Sequence, residues 1–379
     1  MWFLQEYEPE STAYTAAIAF RFSKPVDAEI LKQAFQSVID RHEILRTTFL
    51  ADTDGIFQRV LERLKFKLST DRLEVRFGED FDTVIRKSIS WQCEQPFNLG
   101  EGPLIRAHLA ELPDRGHLLV ILLHHIISDG WSRAILCREL SAGYQALLQG
   151  EKNPLPELSF QYADYTFWQE QQFKTEEFAE SLKYWKTRLE GDLKPSQFPN
   201  DFPRPKFLSS STGNDGVWSL DDELIAQLKE LARNEGVTLY MVFLAAYNLL
   251  LHLYSGQTDI IVGSSTANRQ RPEIEELIGC FINSLAIRSD LTGNPTFRSF
   301  LGQVKQTALD AFRHQSVPYE RVLGELNIIR NPSHTPVFQT MFSLQDFEEA
   351  TVKLGDQEGE SMPIPSHTSK LELALLVEP

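Results

Sequence analysis

The sequence predicts a mixed α/β protein of two lobes, and three observations carry that expectation. At 379 residues the chain exceeds the roughly 250 to 300 residues at which a single hydrophobic core stops growing. Strand-like and helix-like patterns alternate through both halves. Between the halves, Gly191 to Gly216 holds Pro195, Pro199, Pro203 and Pro205 and the run Ser209 to Ser211 with little periodicity, which is the composition of a linker. The expected division is therefore an N-terminal lobe over 1–174, a connecting helix and linker over 175–216, and a C-terminal lobe over 217–379.

The elements follow in order. Thr15 to Phe22 reads as a strand. Asp27 is a good N-cap, and Ile30, Leu31, Ala34, Phe35, Val38 and Ile39 recur at the spacing of one helical face, so a helix is expected to end near Arg41. Arg46 to Phe49 and Phe57 to Leu61 read as strands around the turn formers Asp52 to Gly55. A helix over Asp82 to Glu94 precedes two strands, Leu104 to Leu112 and Leu118 to His124, on either side of the polar turn Pro113-Asp114-Arg115-Gly116. Helices are then expected over Ser132 to Leu148, Tyr162 to Phe173 and Thr175 to Leu189. Beyond the linker, Asp222 to Asn234 forms a helix closed by Gly236, and Thr238 caps the nearly all-apolar helix Leu239 to Tyr254, which must be buried. Strands are expected at Asp259 to Ser264, Phe281 to Arg288, Val337 to Leu344 and Leu371 to Val377, and a helix at Phe297 to His314.

Composition narrows the function. Hydrophobic residues make up 42% and charged residues 24%, the balance of a folded globule. Subtracting 53 acidic from 37 basic side chains leaves a formal charge of -16, which repels a phosphate backbone or an anionic membrane, so neither nucleic acid nor membrane is an expected partner. Cys93, Cys137 and Cys280 lie far apart with no C-x-x-C spacing, which suggests neither a disulfide framework nor a zinc site and fits a reducing cytoplasm. No export signal is recognisable at Met1 to Gln5.

The densest chemical signal is Leu123-His124-His125-Ile126-Ile127-Ser128-Asp129-Gly130-Trp131-Ser132, where an apolar strand gives way to a helix. A histidine there suits proton transfer near neutral pH, because one ring nitrogen accepts while the other is held by a partner. Neighbours on a strand point to opposite faces, so His124 and His125 are not expected to share one cavity. Asp129 can orient the histidine or pair with an arginine elsewhere. The amide of Gly130, with no Cβ in the way, can approach a developing oxyanion, or the residue can be a plain turn glycine. A histidine pair can also ligate metal, but no third ligand stands at a sensible spacing, so no metal is expected.

This string resembles the H-H-x-x-x-D-G motif of nonribosomal peptide synthetase condensation domains, which are relatives of chloramphenicol acetyltransferase. Further blocks resemble that family in its order. Met1 to Leu4 resembles the tail of the first motif. Arg41-His42-Glu43-Ile44-Leu45-Arg46-Thr47-Thr48-Phe49 resembles the second, Tyr162 to Trp168 the fourth and Ile278-Gly279-Cys280-Phe281-Ile282-Asn283-Ser284 the fifth. His314 to Glu320 resembles the sixth, with Ser316 where acidic residues are common, and Arg330-Asn331-Pro332 resembles the seventh. The resemblance runs from Met1 to about Leu376. Family members usually continue further, so the C-terminal lobe is expected to be cut short.

The resemblance implies two chloramphenicol acetyltransferase-like lobes with mixed sheets, forming a V-shaped pseudo-dimer with the histidine motif in a tunnel. It implies an acyltransferase-type enzyme of antibiotic and other secondary metabolism that binds no cofactor of its own. Its substrates would arrive on the phosphopantetheine arms of donor and acceptor peptidyl carrier proteins, with an adenylation domain adjacent in a larger synthetase. The acceptor amine attacks the donor thioester, and His125 is the residue at the reaction centre, as a base or as a hydrogen-bonding positioner. By the same carry-over Asp129 is structural, paired with Arg269 or Arg41, His124 packs, and Trp131, Ser132 and Asn283 are candidates to line the tunnel. Ile126-Ile127-Ser128 and the intact second block look most like the subtype that joins L-configured donors to L-configured acceptors. Cyclisation domains carry aspartates in place of the histidines. An epimerisation domain and a non-catalytic recruitment module remain as alternatives.

Overall fold

A computed structural model of the chain describes residues 1–53, 55–152, 154–195, 198–199, 201–203, 213–326, 328, 333–345, 350–364 and 368–378. In chain order the elements are α1 (Trp2–Tyr7), β1 (Thr15–Phe22), α2 (Ala28–Arg41), β2 (Thr47–Asp52), β3 (Gly55–Val60), β4 (Leu68–Arg72), α3 (Phe81–Cys93), β5 (Ile105–Glu111), β6 (His117–His124), α4 (Gly130–Leu148), α5 (Tyr162–Gln172), α6 (Glu176–Arg188), α7 (Asp222–Glu235), α8 (Leu239–Ser255), β7 (Asp259–Thr266), β8 (Asn283–Asp290), α9 (Phe297–Arg313), α10 (Tyr319–Glu325), β9 (Thr340–Leu344), β10 (Lys353–Leu354), β11 (Gln357–Glu358), β12 (Glu360–Met362) and β13 (Leu373–Val377). Asp27, Asp80, Asp129, Thr175, Asp221, Thr238 and Thr296 each accept a hydrogen bond from an amide in the first turn of the helix that follows, and this fixes where those helices start. Gly236, at φ 61°, closes α7 in the left-handed conformation that a side chain would strain.

The chain divides into two compact units. The first comprises Met1–Gln169, Arg269–Phe281 and Phe347–Thr368. Its five-stranded sheet has the order β12-β1-β6-β5-β4, antiparallel except between β4 and β5. The middle strand β6 reads Leu118 to Leu123 without a polar residue and is sealed on both faces, as a strand covered on both sides must be. Each fully buried leucine or isoleucine there contributes about 2 kcal/mol. Leu31, Phe35 and Ile39 of α2, Ile85 and Ile89 of α3 and Leu136 and Leu140 of α4 join the same core.

The second unit comprises Glu170–Asn268, Ile282–Asp346 and Ser369–Pro379. Its sheet has the order β13-β9-β7-β8, with β7 and β8 antiparallel and the other pairs parallel. Helix α8 supplies Val242, Leu244, Ala245 and Leu251 to this core, together with Leu301 and Val304 of α9 and Trp185 of α6. Among the described residues no single helix is long and apolar enough to cross a membrane.

Both units are mixed α/β, but their boundaries differ from the sequential division at 174 and 216. Residues 269–281 and 347–368 lie in the first unit, and β12 pairs with β1 more than three hundred residues earlier in the chain. Hydrophobic periodicity is local and carries no record of such returns. The stretch Gly191 to Gly216 falls within the second unit, between α6 and α7, and its described prolines Pro195, Pro199 and Pro203 lie outside helices and strands. Pro205 and Ser209 to Ser211, like Arg330-Asn331-Pro332, lie outside the described residues. Helices α1 and α10 and strands β4 and β10 to β12 had no sequence signal. They are short, and β4 is a largely exposed edge strand, Leu-Ser-Thr-Asp-Arg, without alternation.

Candidate active site

Strand β6 pairs with β1 as far as Thr15 opposite His124. One residue later the chain tightens into the 3-10 turn His125–Ile127, and the His125 N–H donates to the Tyr14 carbonyl at 2.7 Å. His124 builds this turn. Its ring is buried, and Nδ1 accepts the Ile126 N–H at 3.0 Å, which leaves the ring proton on Nε2, 3.3 Å from Gln5 Oε1. Gln5 is buried in turn, and its amide donates to the carbonyls of Pro9 and Ser11 at 2.9 and 3.2 Å. Phe97 meets the His124 ring edge-on with centroids 6.0 Å apart. His124 is therefore more than packing, since it caps the turn that carries its neighbour.

His125 is half-buried. The two histidines do not alternate along one strand as expected: His125 has left the strand, and the turn, not the pleat, aims its ring. The ring sits at the C-terminal end of a rigid middle strand, where an imidazole can take a proton or donate a hydrogen bond.

Asp129 starts α4. Its Oδ1 accepts the Ser132 N–H at 2.8 Å, and its Oδ2 accepts the Phe281 N–H at 3.1 Å. Arg269 Nη2 lies 3.3 Å from Oδ1, with the arginine and aspartate side chains 1% and 4% exposed, so the pair is Asp129–Arg269. Arg269 Nη1 also donates to the Leu277 carbonyl at 2.8 Å and to that of Ile274, and the guanidinium lies 4.0 Å over the Phe281 ring. Burial pulls the arginine pKa below its ordinary value, and the charge of Asp129 offsets part of that pull. Paired and hydrogen-bonded on both sides, the charges meet the condition for existing in an interior at all.

The other expected residues divide. Arg41 is not a partner of Asp129: its Nη1 lies 3.6 Å from Glu139 Oε1, in a different buried cluster. Gly130 is the first residue of α4, not a turn glycine, and its amide is among those a helix leaves without an internal partner. Trp131 is half-buried, and its indole N–H donates to the Glu275 carbonyl at 2.9 Å. Ser132 has no exposed surface and lines nothing. Its one hydroxyl proton faces Asp129 Oδ1 at 2.7 Å and the Gly279 carbonyl at 2.8 Å, while its lone pairs receive N–H groups from Gly279 at 3.1 Å and Arg269 at 3.0 Å. Asn283 belongs to the second unit and is also sealed. Its Nδ2 donates to the carbonyls of Gln315 and Val317 at 2.8 and 2.7 Å, and its Oδ1 accepts the N–H groups of Tyr319 and Ser284 at 3.0 and 2.9 Å. That amide is a staple and has nothing left for a ligand.

Gln5, His42, Glu139 and Tyr162 had no site role expected of them, although His42 and Tyr162 lie in the second and fourth blocks. A signal existed for Glu139, an acid on the stripe of α4 formed by Ile135, Leu136, Leu140 and Gly143, all buried. Tyr162 donates to the Cys280 carbonyl at 2.8 Å, and its ring lies where a Cβ on Gly279 would be, 2.2 Å from the ideal position. Burial drives the Tyr162 hydroxyl well above its ordinary pKa and that of Tyr165 up to about 12. Among the described residues no group of three or more His, Cys, Asp or Glu side chains is placed to hold a metal ion.

Two mixed-sheet units, with a histidine turn closing the middle strand of one, are the architecture of two-lobed proteins related to chloramphenicol acetyltransferase. Residues 1–378 match the Condensation domain family, and the chain belongs to it. It is 40% identical over 381 residues to a linear gramicidin synthase of Brevibacillus parabrevis, an alignment that covers 99% of this chain and 7% of that protein. The X-domain from teicoplanin biosynthesis superimposes with a TM-score of 0.88 at 25% identity, over 96% of this chain and 81% of that one. The first condensation domain of the calcium-dependent antibiotic synthetase, solved with a substrate analogue, superimposes with a TM-score of 0.79 at 20% identity, over 99% of this chain and 84% of that one. The chain thus spans a small fraction of the synthase it matches.

Proposed function

We propose that this domain forms an amide bond between two thioester-bound substrates. The observation that carries the reading is the half-buried ring of His125 on a turn fixed by main-chain hydrogen bonds, His124 and the Asp129–Arg269 pair. The amine nitrogen of an acceptor aminoacyl thioester attacks the carbonyl carbon of a donor acyl or peptidyl thioester. The N–C bond forms, the C–S bond breaks, and the donor's pantetheine thiol departs with the proton the amine gives up. His125 either relays that proton or holds the amine and the tetrahedral intermediate by hydrogen bonds. Aminolysis of a thioester is favourable, so much of the acceleration comes from holding the two substrates together.

The substrates arrive on the phosphopantetheine arms of donor and acceptor carrier proteins, next to an adenylation domain in a larger cytoplasmic synthetase. Similarity to a linear gramicidin synthase supports a setting in peptide secondary metabolism. Ile126-Ile127-Ser128 and the second block support the subtype joining L-donors to L-acceptors.

The test loads both carriers with model substrates and looks for condensed product by mass spectrometry. Product from the wild type, lost or cut about 10²-fold or more in His125→Ala, is expected. An inverted α-carbon on the upstream residue without condensation identifies an epimerisation domain, and binding to carriers with no turnover identifies a recruitment module. Equal condensation of D- and L-donors removes the subtype.

A further inference from the structure

The first unit holds a second buried polar cluster. His42 and Glu139 are 1% and 2% exposed, and His42 Nε2 lies 2.9 Å from Glu139 Oε2. His42 Nδ1 accepts the N–H of Ile278 at 3.4 Å. With Nδ1 accepting, the ring proton sits on Nε2 and points at the carboxylate. One imidazole therefore joins the end of α2, the middle of α4 and the returning segment 269–281.

The position of Ile278 gives this bond its importance. The next residue, Gly279, exchanges hydrogen bonds with Ser132 through both its N–H and its carbonyl, and Phe281 donates its N–H to Asp129. The few residues that fix Asp129 and Ser132 are thus held from one side by the start of α4 and from the other by His42. The Ile278 amide is buried, so without Nδ1 the segment must move to satisfy it or leave a donor unpaired.

We infer that His42 is a positioning residue: through the Ile278 amide it seats residues 278–281 and so sets the geometry of Asp129 and of the turn that carries His125. The kinetic half of this inference rests on the amide-forming reading proposed above, and the structural half does not.

Two amides separate the functions of the ring. Asn places an oxygen near the position of Nδ1 and can keep the Ile278 bond while abandoning Glu139. Gln places a nitrogen near Nε2 and can keep the Glu139 bond while abandoning Ile278. Hydrogen exchange in the full chain, read at Ile278 and Phe281, is expected to stay within about twofold of wild type in His42→Asn and to rise about tenfold or more in His42→Gln. In the condensation assay His42→Gln lowers kcat about 10- to 100-fold with KM for the acceptor unchanged, and His42→Asn restores most of it. Glu139→Gln guards against a His42→Gln that does not fold, since it leaves the Ile278 bond in place and should keep protection at both amides. The inference is overturned if the Gln variant is the better protected, if both amides protect equally, or if Glu139→Gln exposes Ile278. If the wild type makes no product, the amide-forming reading falls while the exchange comparison still decides the clamp.

Discussion

His125 was expected at the reaction centre and Asn283 as a candidate to line the tunnel, and the two units treat them in opposite ways. In the second unit Asn283 is 7% exposed, and four backbone groups at Gln315, Val317, Tyr319 and Ser284 take up its amide. In the first unit comparable effort goes into the neighbours of His125. His124 caps its turn, Tyr14 holds its N–H and Asp129 anchors the helix beyond, while the ring itself stays half-buried. A polar side chain whose capacity is spent on the fold stabilises, and one carried on a turn that its neighbours hold in place is positioned for chemistry.

The largest expected effect comes from breaking the support. Asp129→Ala leaves the Arg269 guanidinium buried without its counter-charge and strips the N-cap from α4, so urea denaturation should report a loss of about 4 kcal/mol, with activity lost as well. A loss under about 1 kcal/mol would mean that the pair is dispensable and that the turn carrying His125 is supported elsewhere. Asn283→Ala comes next. It leaves buried donors at Tyr319 and Ser284 without their acceptor and should cost about 3 kcal/mol. If it folds as stably as wild type but loses product formation, Asn283 belongs with His125 after all.

These two residues also show what the sequence could reveal. The blocks around His125, His42, Gly279 and Asn283 stood out, and the strand ends and helix caps near them were legible because turn and cap chemistry is local. Whether an amide such as that of Asn283 faces a ligand or the backbone was not legible. That depends on residues 315–319, about thirty positions away and without a shared pattern. The choice of Arg269 over Arg41 for Asp129 failed to show for the same reason: Arg41 lies in a recognisable block and Arg269 in none, and only the return of residues 269–281 to the first unit decides between them.

A smaller effect tests whether that returning segment is held by a closed aromatic wall. The Tyr165 ring packs 4.7 Å from Phe281, and burial raises its hydroxyl to about 12 from the ordinary tyrosine value of 10. A folded-state pKa above the unfolded one gives stability that is complete below pH 10 and is lost as pH rises through 12. Wild type should therefore lose about 2 kcal/mol more than Tyr165→Phe between those limits, read as the difference of two urea series. Parallel series would mean that water reaches this ring and that the wall is open.

The smallest stability change is expected where the chemistry is. His125→Ala removes a half-buried ring and leaves the N–H bond to Tyr14, the His124 cap and the Asp129 network as they are. The unfolding free energy should fall by no more than about 1 kcal/mol. Against that stands the loss in product formation, so the ratio of functional to structural cost should be far higher at this position than at Asn283. If His125→Ala instead destabilises the domain as much as Asn283→Ala does, its ring is one more staple, and the division between spent and presented side chains does not hold in the first unit.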